Sequence, residues 1–304
     1  MSRIRFYRAY CLLIESEIPL AELLDAEAPA ADQSVDVRIR RGSVGPGAAD
    51  GRRQTGPLIW CADDQLWLEV AGIARFLVRG GTEIVVEAEP GMDEESVRLF
   101  LLGSVFGALL AQRGLLVLHG NAVRIGEQCL VCVGPSGIGK STLAAGFAKR
   151  GHTLLADDVV PLDDEGRALP GFPRVKLWQD SAEQLGVDTR ELRRIRPQLA
   201  KYNYPLGERF EQQPLPVRWI YVLESAAVEQ PQFSPILGMQ RFPPLLDNTY
   251  RLRFLNGMGR KAEHLAQCGR LAARSHLVLA RRPSEGFDLD RLIDSILDDL
   301  RERA

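Results

Sequence analysis

Residues 134–141 read GPSGIGKS and satisfy the spacing G-x-x-x-x-G-K-[ST] at each specified position. These residue types suit a polyphosphate, which needs several donors converging from a backbone that can come close. Gly134, Gly137 and Gly139 put no Cβ in the way, so successive N–H groups can point into one concavity. Lys140 then reaches the β- and γ-phosphates, and the Ser141 hydroxyl binds Mg2+. The candidate nucleotide contacts are therefore Gly134, Pro135, Ser136, Gly137, Ile138, Gly139, Lys140, Ser141 and Thr142. Downstream stand two adjacent carboxylates, Asp157 and Asp158. On an extended segment consecutive side chains point to opposite sides, so one can face a metal ion and the other an acceptor.

That chemistry depends on a strand before the loop and a helix after it. The apolar run CLVCV at 129–133 supplies the strand. TLAAGFAKR at 142–150, with Leu143, Ala144 and Phe147 at helical spacing, supplies the helix, whose N-terminus adds partial positive charge at the loop. Gly151 caps the helix, and HTLLA at 152–156 leads at once to Asp157. So short a crossover predicts a parallel neighbour for the loop strand, with both strand ends on one edge of the sheet. The two carboxylates then land beside the phosphates. Upstream, residues 93–113 predict a helix with acidic residues in its first turn, and 115–118 a short strand that delivers His119.

The run LHGNAV…CLVCVGPSGIGKSTLAAGFAKRGHTLLADDVV over 118–160 resembles the catalytic domain of the bacterial HPr kinase/phosphorylase family. It shares that family's His-Gly pair, S-G-x-G-K-S core, R-G-H helix end and A-D-D strand end, in order. The resemblance implies an α/β fold, a P-loop nucleotide-binding domain of HPr kinase and phosphoenolpyruvate carboxykinase type with a mixed sheet. It implies ATP and Mg2+ as cofactors and a serine hydroxyl as acceptor. By position, Asp157 is the implied general base, Asp158 holds the metal with Ser141, and His119 stands near the base. With Lys140, Asp157 and His119 make up the implied catalytic set. Members of the family form hexamers, so a homo-oligomer is implied as well.

The chain departs from that family at PGFPRVKLW, 170–178. A glycine-rich signature there carries a metal-binding glutamate in the family, and Phe172 stands in its place, while Arg174 falls on the signature's arginine. The substrate-contacting region is thus rewritten. Related kinases with such a region occur beside ribosomally made peptides such as lasso peptides and phosphorylate a precursor serine. The implied client is an HPr-like protein or a precursor peptide of that kind.

The 304 residues are 45% hydrophobic and 26% charged, and a formal net charge of -2 gives no global reason to expect nucleic acid. No apolar run is long enough to span a bilayer, and the first residues hold too short an apolar block for a signal peptide, so the cytoplasm is the expected compartment. Cys11, Cys61, Cys129, Cys132 and Cys268 form no disulfide framework. Cys129 and Cys132 make a C-x-x-C, but within a strand they project to opposite faces and read as buried thiols. Apolar and polar residues alternate around Val35, Val37 and Ile39, around Leu66, Leu68 and Val70, and around Ile84, Val86 and Ala88, with loops at 26–31 and 42–56. Residues 1–92 are therefore expected to form an antiparallel β-rich module ahead of a kinase domain at 93–304.

Positive charge for a phosphoryl transition state has three candidates, Arg174, Arg251 and Arg253. Residues 188–201 predict a basic helix face carrying Arg190, Arg193, Arg194, Arg196 and Lys201. Residues 217–223 predict a central strand, and 288–300 an amphipathic helix with Leu289, Leu292, Ile293, Ile296 and Leu300 in one stripe. The expectation is an ATP- and Mg-dependent serine kinase acting on a protein or peptide, with neither nucleic acid nor membrane as partner. Two alternatives stand beside it: a phosphoenolpyruvate carboxykinase-like enzyme, for which the chain offers no cluster of extra metal-binding histidines and lysines, and a non-catalytic ATP-binding sensor or scaffold. A GTPase is disfavoured because N-K-x-D does not occur.

Overall fold

Val37 and Ile39 are buried while Arg38 between them and Arg40 after them are exposed, the period of a strand with one wet face. This pattern recurs through the first ninety or so residues and gives a nine-stranded sheet. In spatial order its strands are Leu24–Ala26, Arg5–Ala9, Leu12–Ser16, Val37–Arg41, Glu83–Ala88, Ala74–Arg79, Gln65–Val70, Ile59–Ala62 and Arg53–Gly56. The expected antiparallel pairing is corrected at one place: Val37–Arg41 runs parallel to both its neighbours, Leu12–Ser16 and Glu83–Ala88. Both connections to it are long, and only a tight hairpin would have forced antiparallel pairing. The computed structural model describes residues 4–30, 32–48, 51–62, 64–286 and 288–303. Ala31, Ala49 and Asp50 of the expected loops, and the first three residues of the N-terminal stretch, lie outside these.

The chain divides into two compact units, one of Met1–Val117, Arg194–Leu199 and Tyr250–Gln267, the other of Leu118–Arg193, Ala200–Thr249 and Cys268–Ala304. The first unit runs past residue 92 because the helical stretch that follows is tied to the sheet. Asp93 caps Glu94–Phe100 by accepting from the Ser96 N–H at 2.7 Å, and a π-turn at Leu101–Val105 leads into Phe106–Gln112. At its end Gln112 accepts from the Gly81 N–H at 2.9 Å and donates to the Val78 carbonyl at 3.3 Å.

In the second unit the central strand is Leu215–Ala226, which pairs in parallel with Gln128–Val133 on one side and His276–Pro283 on the other. Gly120–Ile125 follows antiparallel to Gln128–Val133, and Leu154–Asp157 lies antiparallel to Gly120–Ile125. The loop strand and the aspartate strand therefore run in the same direction with their C-terminal ends on one edge, as the short crossover requires. They are not neighbours, which corrects the expected adjacency: the hairpin joining 120–125 to 128–133 places its first strand between them. The helix Lys140–Lys149 packs on Leu289–Glu302, where Leu289, Leu292, Ile293, Ile296 and Leu300 are all buried. Each fully buried side chain of that size contributes about 1.5–3 kcal/mol, which fixes the helix that begins at the glycine loop. Among the described residues no helix is long and apolar enough to cross a membrane.

Gly120 shows how closely the hairpin packs. A Cβ there would lie 2.4 Å from the Cys132 carbonyl oxygen. Gly120→Ala is expected to lower unfolding stability by about 1–3 kcal/mol, measured by urea denaturation, because backbone rather than a flexible side chain must give way.

Candidate active site

The glycine loop turns because its glycines take backbone angles that other residues resist. Gly134, Gly137 and Gly139 have φ of 147°, 84° and 99°, and a Cβ on Gly134 would sit 2.7 Å from the Leu223 carbonyl. The helix starts at Lys140, whose ammonium folds back to donate to the carbonyls of Gly134 at 2.8 Å and Pro135 at 3.0 Å. Burial pushes the Lys140 ammonium below the ordinary lysine value, against the pull of Asp158 and Asp157. Fully buried Asn121 secures the first turn by donating to the Lys140 carbonyl at 2.7 Å, and Thr142 donates to the Ser181 hydroxyl at 2.9 Å.

The aspartate strand ends at Asp157, and Asp158 adopts φ 77°, the left-handed region. The expectation that the two side chains point to opposite sides is corrected here, because it assumed extended backbone through both. With the reversal at Asp158, both carboxylates line one cavity. Their surroundings differ from the implied ones. Ser141 donates to Asp157 Oδ1 at 3.0 Å, so the loop serine meets the first aspartate, and Asp157 Oδ2 accepts from the Lys176 N–H at 2.9 Å. Asp158 Oδ2 accepts from Lys176 Nζ at 2.6 Å, and His119 Nδ1 lies 3.3 Å from Asp158 Oδ1 and 3.0 Å from its carbonyl oxygen. Burial raises the Asp157 carboxyl above the usual range, with Asp158 adding to the rise. Burial works against the Asp158 carboxylate too, yet the Lys176 ammonium and His119 hold it well below that range.

Lys176 arrives on a two-stranded ribbon, Arg174–Trp178 paired with Lys201–Pro205. The cavity, about 210 Å³, is lined by His119, Ser136, Gly137, Gly139, Lys140, Ser141, Thr142, Asp157 and Asp158 from the sequence candidates. It is also lined by Gly120, Lys176, Trp178, Ser181 and Lys201, which sequence reasoning had not placed there. Gly134, Pro135 and Ile138 are not in its lining; Gly134 and Ile138 are buried and Pro135 is exposed. Phe172, standing where a glutamate was looked for, is buried beneath the Arg174 guanidinium at 5.6 Å from the ring centroid. Arg174 also donates to the Asn203 side chain. Arg251 and Arg253 belong to the first unit, each over its neighbouring aromatic ring, Tyr250 and Phe254. Residues 188–200 contain no helix, which corrects the basic helix face; Lys201 instead opens a strand.

Among the described residues no group of three or more His, Cys, Asp or Glu converges as a metal cage. A magnesium ion does not need one, since it keeps waters and takes oxygens from substrate phosphates. Ser141 Oγ and Asp157 Oδ1 are the two side-chain oxygens that converge at the start of the helix, and they fit such an ion. Cys129 and Cys132 are fully buried and desolvation raises both thiols, in keeping with strand packing.

Comparison with known proteins bears on this same stretch. Residues 110–180 match the family model for the HPr Serine kinase C-terminal domain. The HPr kinase/phosphorylase of Clostridium beijerinckii is 35% identical over 71 residues, 23% of this chain and 24% of that protein. That of Clostridium tetani is 38% identical over 71 residues, 23% of each chain. The match thus spans about a quarter of the length of these curated relatives. Among solved structures, the Hpr(Ser) kinase/phosphatase of Coxiella burnetii aligns with a TM-score of 0.30 at 15% identity, over 62% of this chain and 97% of that one. The matched segment holds the glycine loop, both aspartates, His119 and Lys176, and over it the chain is HPr kinase-like.

Proposed function

We propose that the chain is an ATP- and Mg-dependent kinase that transfers the γ-phosphoryl group to a serine hydroxyl of a protein or peptide. The observation that carries this reading is the meeting of Lys140, Ser141, Asp157, Asp158 and His119 around one polar cavity at the end of a glycine loop. The loop amides and Lys140 hold the β- and γ-phosphates. Bound Mg2+ supplies neutralising charge on those oxygens, and Ser141 with Asp157 would hold it. The serine oxygen attacks the γ-phosphorus in line, the bond from that phosphorus to the β-γ bridging oxygen breaks, and ADP leaves. The serine proton passes to the Asp158 and His119 side of the cavity, where an ionised carboxylate faces the acceptor. This exchanges the implied roles of the two aspartates, on the ground that Ser141 contacts Asp157.

The rewritten ribbon at 174–178 supports a client other than HPr, such as a ribosomal precursor peptide, alongside an HPr-like protein. Four buried cysteines and one exposed one, none of them in a disulfide among the described residues, accord with a cytoplasmic setting. The test is incubation with γ-labelled ATP and Mg2+, using an HPr protein and serine-containing precursor peptides as acceptors. Label recovered as phosphoserine is the expected result. Saturable ATP binding with no label moved to any hydroxyl would overturn the kinase and leave a sensor.

A further inference from the structure

Antiparallel pairing sets Lys201 opposite Trp178 and Asn203 opposite Lys176, so the ribbon has two consistent faces. Val175, Leu177 and Tyr202 point to one and are buried. Lys176, Trp178 and Lys201 share the other and line the cavity. Lys176 is engaged by Asp158. Lys201 is placed differently: half-buried, with its ammonium 5.1 Å from the Trp178 ring centroid, it forms no ion pair with a carboxylate among the described residues. A desolvated cation that lines a polar cavity and touches no carboxylate among the described residues favours an anionic ligand.

The surroundings say where that anion belongs. Lys201 lines the same cavity as Gly137, Gly139 and Lys140 of the cradle and as Asp157 and Asp158, and its charge is felt at Lys140. It therefore stands where a phosphate held by the loop would meet an acceptor at the aspartates. Burial, with repulsion from Lys176, lowers the Lys201 ammonium, and an incoming phosphate reverses both penalties.

Resting on the kinase reading, we infer that Lys201 contacts the terminal phosphoryl group and neutralises its charge during transfer, the role sought in Arg174, Arg251 and Arg253. The ammonium donates hydrogen bonds to the γ-phosphoryl oxygens and keeps its protons; no bond to nitrogen forms. The lysine side chain suits this position because a point charge on a flexible stem can follow the phosphorus from donor to acceptor.

The experiment compares wild type, Lys201→Met and Lys201→Arg for ATP and ADP affinity by calorimetry with Mg2+ present, and for steady-state transfer. For Lys201→Met, ATP affinity is expected to fall about ten- to a hundredfold while ADP affinity changes less than about threefold, and kcat falls with it. Lys201→Arg should recover part of both. A Lys201→Met protein that melts like wild type and keeps its ATP to ADP preference would overturn the assignment. So would unchanged affinity for both nucleotides with a raised KM for the acceptor, which would give Lys201 to an anionic group on the client. Wild-type protein that binds neither nucleotide would instead remove the kinase reading on which the inference rests.

Discussion

Lys140→Met is expected to lower kcat/KM for phosphoryl transfer by about a thousandfold or more, without lowering the melting temperature. Two observations set the direction of each effect. The ammonium is buried and, among the described residues, donates to the carbonyls of Gly134 and Pro135, a geometry in which it waits over the loop for an anion. Removing one preorganised donor from a water-poor site costs about two to three powers of ten in rate, and here ground-state binding of the β- and γ-phosphates is lost with it. Among the described residues the same side chain has no carboxylate in salt-bridge contact, so a thioether of similar length gives up two hydrogen bonds to carbonyls but relieves the desolvation of a cation, and the two effects offset. Arginine is not expected to rescue the loss, because a planar fork does not fit a space shaped for a compact ammonium. Calorimetric titration with ATP and a thermal melt on the same sample check both halves. A Lys140→Met enzyme with native kcat/KM would remove the loop from the chemistry.

Much of the positioning was legible because it is local. The glycine spacing, the helical repeat after it and the apolar stripe at Leu289–Leu300 each depend on near neighbours in sequence, and the structure carries all three. What failed was whatever needed distant partners. No short-range signal shows that the strand 120–125 lies between the loop strand and the aspartate strand, since that is decided by which hairpin closes on the sheet. Asp158 reads as extended because it directly follows the strand that carries Asp157; its left-handed backbone is held by Lys176 and His119, residues from two other segments. The ribbon lysines were missed for a different reason. The alternation R-V-K-L-W and K-Y-N-Y-P was present in the sequence, with Val175, Leu177 and Tyr202 on the apolar side. The first segment reads in the sequence mainly as a departure from a family signature, and of the second only Lys201 falls at the end of the run of basic residues read as a helix.

The two aspartates are separated most sharply by paired isosteric variants. Asp157→Asn is expected to raise the Mg2+ concentration needed for half-maximal ATP binding by about ten- to a hundredfold, since it removes the charge beside Ser141. Asp158→Asn is expected to leave Mg-dependent ATP binding near wild type and to lower transfer by about a hundred- to ten-thousandfold, since it removes the carboxylate beside His119 on the acceptor side. Asparagine tolerates the left-handed backbone, so the change at Asp158 adds no strain of its own. It does leave the Lys176 ammonium unpaired, and the variant should melt lower; Asp158→Asn with Lys176→Met restores the melting temperature but not the transfer, which separates folding from chemistry. The pH dependence has a definite sign. A carboxyl held below its unfolded value stabilises the fold above the ordinary carboxylate range, and that contribution is lost as pH falls through the depressed value. Asp158→Asn should therefore lose stability at neutral pH and converge with wild type in strong acid. If Asp157→Asn instead keeps its Mg2+ requirement and loses only transfer, the proton goes to Asp157 and the metal to Asp158, as the resemblance implies.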